Sequence, residues 1–203
     1  ARGRAPTSFR RGVRDDGVAL FTVNLGITIG EPAGSVSPRV EAICAAFEAS
    51  GIKAIASADT LSAAWSKLVM WCGSAIACAL TRAPTGLVLT DPDGARIATQ
   101  VIREAGLVAQ AEGATVQAVE PYDLAAVMAA ADVEAAYPFT QQAGAVFAKN
   151  MPQHKPSILQ ALEAGKQLEI EETLGDVIAR AGQHGIAVPS IDAAYRLLAA
   201  VNR

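Results

Sequence analysis

Aromatic residues make up only 5% of this chain, and its two histidines, His154 and His184, lie far apart. A metal centre gathers its ligands at short spacings, so neither histidine marks one and no metal is expected. Cysteine is scarce too: Cys44, Cys72 and Cys78 form no CxxC pair, are odd in number and sit among apolar neighbours. That pattern argues against a disulfide framework and for free core thiols in a reducing, cytoplasmic compartment. Neither sign of charge dominates, with Lys+Arg 17 against Asp+Glu 20 and a net charge of −3. A general electrostatic footprint for nucleic acid or an anionic membrane is therefore absent. The glycines at Gly26, Gly30 and Gly34 lack dinucleotide-loop or P-loop spacing, and no G-x-S-x-G or zincin pattern occurs. Basic residues concentrate only at the start, in Arg2, Arg4, Arg10, Arg11 and Arg14, which read as a solvated, partly mobile terminus. An arginine-rich rather than apolar beginning is not a signal peptide, and the missing initiator methionine points to a processed or truncated chain.

What is abundant is apolar surface: 51% of 203 residues, ample for a packed core. The longest concentration is AAWSKLVMWCGSAIACAL, residues 63 to 80, apolar on nearly every side yet carrying Lys67. Its length approaches that of a membrane span. Lys67 and Ser74 interrupt it, however, and its flanks lack a basic cluster and an aromatic belt, so it reads as the buried central helix of a helical domain. A buried ammonium costs several kcal/mol (roughly) unless a partner or a task compensates. Two explanations stand open for Lys67: a stem that snorkels its amine to water, or a catalytic group.

Before this run the pattern is α/β. Val18 to Ile29 is rich in β-branched residues and predicts two short strands broken near Asn24 to Gly26. Ser37 and Pro38 then open a helix that stops at Gly51, and IKAIAS predicts another strand. A composition boundary falls near Ala58, dividing residues 1–58 from a helical region, 59–203. In that region Asp59 or Thr60 caps the long helix to about Thr81, and APTGLVLTDPDG is a turn before a helix over Ala95 to Glu112. Pro121 to Ala136 and Phe139 to Lys149 predict two more helices. Ser157 with Gln160 forms a capping-box pattern, Gly165 breaks that helix, and Glu169 opens a segment ending at Gly185. Pro189 blocks continuation and Ser190 caps a terminal helix. Glu169, Glu171 and Glu172 cluster at a helix start, where the helix dipole favours carboxylates.

The blocks AWSKL (64 to 68) and KPSILQALEAGKQLEIE (155 to 171), closed by HGIAVP (184 to 189), resemble the helical domain of ketopantoate reductases, or 2-dehydropantoate 2-reductases. Residues from about Gly12 to Ser57 also look like the last strands and helix of that family's Rossmann-type nucleotide-binding domain. The resemblance implies a mainly α fold with an all-helical C-terminal domain like that of 6-phosphogluconate dehydrogenase. It also implies reduction of ketopantoate or a related 2-keto acid to the 2-hydroxy acid by NADPH, in the service of pantothenate biosynthesis. The family's Gly-rich NADPH loop has no counterpart here, so the isolated chain is expected to be inactive.

Residue by residue, Lys67 falls on the family's catalytic lysine, and Glu169 on its acidic partner, which also approaches the cofactor. Ser157 falls on the serine that bonds the substrate carboxylate. Trp71, Ala75, His154 and Leu174 stand where the family carries asparagines, and Ser74 shares the face of Lys67 and Trp71. Trp71, Ser74 and His154 are accordingly candidate substrate contacts. The rival reading is a non-catalytic or differently specific homologue that serves ligand binding or subunit association. Alanine-rich helix faces permit a homodimer under either reading.

Overall fold

The computed structural model describes the backbone of residues 7–13 and 19–202 and the side chains of residues 26–202. Arg2, Arg4 and Arg14 lie outside the described residues, as do the side chains of Arg10 and Arg11. The chain divides into two compact units, Ala1–Ala64 and Trp65–Arg203.

In the first unit, strand β1 (Thr7–Val13) pairs antiparallel with β2 (Ala19–Ile29), which pairs parallel with β3 (Ala54–Ala56). The backbone of Arg10 and Arg11 is thus in a strand rather than a mobile terminus. β2 is one strand, not two. The break expected near Asn24 to Gly26 is a register shift opposite Thr7 to Phe9, with Gly26 at φ 105°, so the ladder continues past it. Helix α1 (Pro38–Ala49) carries the crossover between the parallel strands. Ser37 caps it by accepting from the Val40 N–H at 3.3 Å. Ile27, Ile29, Val40, Cys44 and Ala54 form a small core, to which Phe47 and Ile52 add.

The second unit is helical, as the sequence predicts. Helix α2 (Thr60–Thr81) begins at Asp59, whose carboxylate accepts from the Ser62 N–H at 3.0 Å. It is long and apolar enough to cross a membrane, yet Val69, Cys72, Ala75 and Cys78 are wholly buried within the protein. The expected turn after it is instead a helix, α3 (Thr85–Thr90), with Thr85, Gly86, Val88 and Leu89 buried. Helices α4 (Pro92–Ala111), α5 (Leu124–Ala129) and α6 (Val133–Asn150) follow. α3 is kept helical by packing on α6. A Cβ on Gly86 would lie 2.6 Å from the Ala148 backbone, and one on Gly144 would lie 2.7 Å from that of Leu89. Two glycines let these backbones meet, and that contact is not legible in a local window.

The helix expected over Pro121 to Ala136 is divided. Asp123 caps α5, Asp132 caps α6, and α6 runs through Pro138 instead of stopping before it. Helix α7 (Ser157–Glu163) forms without the expected capping box. Ser157 is already its first helical residue and makes no cap bond, while the Gln160 amide donates to the Lys155 carbonyl at 2.7 Å. A π-helical turn, Glu171–Gly175, leads into α8 (Asp176–His184), which ends at Gly185 with φ 66°. Finally α9 (Pro189–Val201) is capped not by Ser190 but from another helix. The buried Glu104 carboxylate of α4 accepts from the N–H groups of Ser190 (3.2 and 3.0 Å) and Ile191 (3.0 Å). A carboxylate at a helix start satisfies orphan donors and the dipole together, which a serine hydroxyl does less well.

Candidate active site

Lys67 occupies the first half of α2 and is half-buried. Burial pushes its ammonium below the usual lysine range, because removal from water penalises the charged form. Its two predecessors are fixed. Ser66 is buried, and its hydroxyl accepts from the Gln117 N–H at 2.8 Å, which ties α2 to the segment after α4. Trp65 is buried, and the guanidinium carbon of Arg180 stands 5.8 Å from its ring centre. Arg180 is itself held at 2.8 Å by Asp176 and also bonds Glu112, the residue closing α4. The other oxygen of Glu112 meets His184 at 2.7 Å. These bonds, that to His184 foremost, hold the Glu112 carboxyl below its usual range. The backbone that presents Lys67 is thus braced by α4 and α8. None of Trp65, Arg180, Glu112 and His184 announces this alone, since the partners are 68 or more positions apart.

Other predicted site residues divide into those facing inward and those facing solvent. Trp71, one turn beyond Lys67, is half-buried. Ser74 is buried and its hydroxyl donates back to its own helix, to the carbonyls of Met70 (3.1 Å) and Trp71 (3.3 Å). Ala75 and Leu174, at two of the positions where asparagine was the family's choice, are wholly buried. His154 is drawn against α3: its Nδ1 lies 2.8 Å from the Thr85 hydroxyl, and its carbonyl accepts from the Thr85 N–H at 2.8 Å. The ring also packs on Phe147, with centroids 4.6 Å apart. Ser157 and Glu169 are exposed, and the Glu169 carbonyl accepts from the Thr173 hydroxyl at 2.5 Å. Next to Glu169, Asn202 clamps the Leu168 backbone, accepting from its N–H at 2.7 Å and donating to its carbonyl at 3.3 Å.

A cavity of about 650 Å³ opens elsewhere, among Glu171, Glu172, Asp176, Asp192, Tyr195 and Arg196. The Tyr195 hydroxyl donates to both oxygens of Glu171, at 2.7 and 2.8 Å. Four carboxylates against one guanidinium repel an organic acid, so the charge here is wrong for the chemistry expected of Lys67. Nor do the described residues cradle a dinucleotide phosphate at the β2–α1 turn. Glu31 already fills the start of α1, accepting from the Ser37 hydroxyl (2.5 Å) and from Arg39 (2.5 and 3.3 Å). A Cβ on Gly30 would fall 2.1 Å from the Ser57 carbonyl oxygen, so this glycine serves contact within the unit rather than a ligand. Among the described residues no group of three or more His, Cys, Asp and Glu side chains could hold a metal ion.

Fold and site define a class: a helical domain with a partly desolvated lysine on its central helix, preceded in sequence by a β-α-β unit. Residues 59–202 match the model of the ketopantoate reductase PanE/ApbA C-terminal domain. The 2-dehydropantoate 2-reductase of Halobacterium salinarum is 30% identical over 164 residues, which are 81% of this chain and 48% of that protein. Solved structures share the fold. The ketopantoate reductase of Ralstonia eutropha superposes with a TM-score of 0.75 at 22% identity, covering 98% of this chain and 59% of that one. A dimeric ketopantoate reductase from Staphylococcus aureus gives 0.74 at 18%, covering 98% and 61%. The chain therefore belongs to the ketopantoate reductase family. It spans about half the length of the curated relatives it matches.

Proposed function

We propose that this chain is the substrate-binding, lysine-bearing part of an NADPH-dependent reductase that converts ketopantoate or a related 2-keto acid to the 2-hydroxy acid. The observation that carries this reading is the half-buried Lys67 on α2, with its ammonium pushed down by burial. When bound, a nicotinamide cofactor supplies the hydride; the described residues offer no cradle for its phosphates, so that part of the work falls outside them. The chain's own share is orientation and the handling of one proton. As the carbonyl carbon is reduced, its oxygen gathers negative charge. The Lys67 ammonium stabilises that oxygen and, with its lowered affinity for the proton, gives it up to form the hydroxyl. Glu169 is assigned as the lysine's carboxylate partner and the residue that meets the cofactor, while the lowering of Lys67 comes from burial. Ser157, exposed and not used as a cap, offers its hydroxyl to the substrate carboxylate. Trp71 and His154 shape the remaining wall, and the bulk of Trp71 favours a substrate other than ketopantoate itself. Residues 1–58 form the end of a nucleotide-binding domain and 59–203 the substrate domain, in a cytoplasmic enzyme that pairs as a homodimer.

Full-length protein is mixed with NADPH, or NADH, and a panel of 2-keto acids, and cofactor oxidation is followed. Turnover that Lys67→Ala abolishes is expected; no turnover with any acid, or full activity in the variant, sinks the proposal. The 203 residues alone should show no tight NADPH binding by calorimetry.

A second reading has an observation of its own. Ala75 and Leu174 are wholly apolar core, so the amide groups of the family pattern have been lost there. A non-catalytic homologue that binds an acid, or serves subunit association, accounts for that loss. Binding of a 2-keto acid without cofactor oxidation would select it.

A further inference from the structure

We propose that Asn202 is a positioning residue for Glu169: it fixes the backbone that carries this carboxylate and ties it to the helices among which Lys67 stands. Residues 166–170 belong to no helix or strand, so no ladder of backbone bonds sets their course. Side chains set it instead. Asn202, the residue closing α9, meets Leu168 with both ends of its amide. Its Oδ1 accepts from the Leu168 N–H at 2.7 Å, and its Nδ2 donates to the Leu168 carbonyl at 3.3 Å. Two bonds to one residue fix its orientation, where a single bond would leave it free to swivel. The backbone just beyond is held as well. The Glu169 carbonyl accepts from the Thr173 hydroxyl at 2.5 Å, and the Ile170 carbonyl from the Gly175 N–H at 2.8 Å. Leu168 and Ile170 are buried while Glu169 between them is exposed, so seating the two flanks turns the Glu169 side chain outward.

The clamp matters because of what α9 is fastened to. At its start the Glu104 carboxylate of α4 takes the N–H groups of Ser190 and Ile191. α4 in turn lies against α2 at Gly73, where a Cβ would fall 2.6 Å from Ile102 Cγ1. The helix that bears Lys67 is thus joined through α4 to α9, and Asn202 bonds the segment of Glu169 to the far end of α9. An asparagine suits this place because its amide offers an acceptor and a donor side by side, as one residue's N–H and carbonyl require. Aspartate would keep the first bond and lose the second; alanine would lose both. A catalytic group displaced by an ångström forfeits much of its effect on a reacting atom. This inference rests on the reading of Glu169 as the lysine's partner and a cofactor contact, given above.

The test is a double-mutant cycle in full-length protein, with Asn202→Ala and Glu169→Gln made singly and together. With the preferred 2-keto acid, Asn202→Ala should lower kcat/KM roughly tenfold, and Asn202→Asp by less. Where Glu169→Gln is already present, Asn202→Ala should cost no more than about a further twofold, because the group it positions is gone. A general loss of packing would cost the same factor in both backgrounds, and that result overturns the proposal. So does a Leu168 amide that exchanges its hydrogen as fast in wild type as in Asn202→Ala. Should Asn202→Ala fail to fold, Asn202→Asp carries the cycle. Should no acid be turned over, the cycle is read on the NADPH dissociation constant by calorimetry, and the reductase reading alone falls. A Glu169→Gln protein that behaves as wild type would remove the reading of Glu169, and this inference with it.

Discussion

The two ends of α2 lie in one helix and respond to the same force in opposite ways. At one end burial lowers the proton affinity of Lys67. Toward the other it pushes the thiols of Cys72 and Cys78 up, to about 12 and about 11. Desolvation always disfavours the charged form, so a base is made more acidic and an acid less so. The ends differ in access. Lys67 is half-buried, whereas Cys72 and Cys78 are wholly enclosed. A partly desolvated group within reach of a ligand is chemistry in waiting; a fully desolvated one is packing.

The largest effect that sharpens this contrast is on turnover. If the proposed reduction is catalysed, Lys67→Ala should lower kcat/KM of the full-length protein by roughly a hundredfold to a thousandfold, the loss typical of a group that stabilises a developing oxyanion. The charge of Lys67 should add nothing to the unfolding midpoint, because a lysine whose pKa is lowered on folding carries its charge at a cost in the folded state. The sign follows from proton counting. Between the folded and unfolded pKa values the unfolded chain binds more protons, so the penalty of burying Lys67 is full at lower pH and fades as pH rises through that window. Lys67→Met should therefore unfold no earlier than wild type in urea at pH 7, and a clear loss of stability would break the comparison.

In the middle of the helix the expected effect moves from turnover to stability. Gly73 lets α2 approach α4: a Cβ there would lie 2.6 Å from Ile102 Cγ1 and 2.8 Å from the Ala98 carbonyl oxygen. Gly73→Ala should cost about 1–3 kcal/mol in urea unfolding. Cys72→Ala, which removes only a sulfur from the packed part of the helix, should cost about 1 kcal/mol and leave KM unchanged. If Cys72→Ala altered KM while Lys67→Ala altered only stability, the two ends would have been assigned the wrong way round.

What could be read from the sequence follows how local each interaction is. Ser37 and Asp59 cap helices three residues away, and both appear in a short window. Lys67 stands out because one charge in an apolar run is a local anomaly. By contrast α3 reads as a turn, since its helix exists only because Gly86 and Gly144 admit α6. Ser190 reads as a cap until Glu104, 86 positions earlier, is brought to the same N–H group. Thr85 and His154 are 69 positions apart, and no pattern of spacing predicts that their side chains will meet. The candidate chemistry was visible as residue types, while the bonds that orient those residues are products of packing.

The smallest effect is on reactivity, and it tests both ends at once. With its pKa lowered, the Lys67 amine has a larger neutral fraction near pH 8 than an ordinary exposed lysine. Trace labelling with an amine-specific acylating reagent, read out by peptide mass spectrometry, should therefore modify Lys67 more per accessible site than exposed lysines. That advantage should shrink toward pH 11, where every lysine approaches neutrality. Cys72, pushed up to about 12 and enclosed, should stay unmodified by iodoacetamide across pH 7–9 until urea opens the core. One reagent thus finds its target because of burial and the other misses its target because of burial. Rapid native alkylation of Cys72 would show that the buried middle of α2 opens to solvent. A Lys67 that labels no faster than its neighbours would mean that its amine reaches water, and the lysine would then be a snorkelling side chain rather than a proton donor.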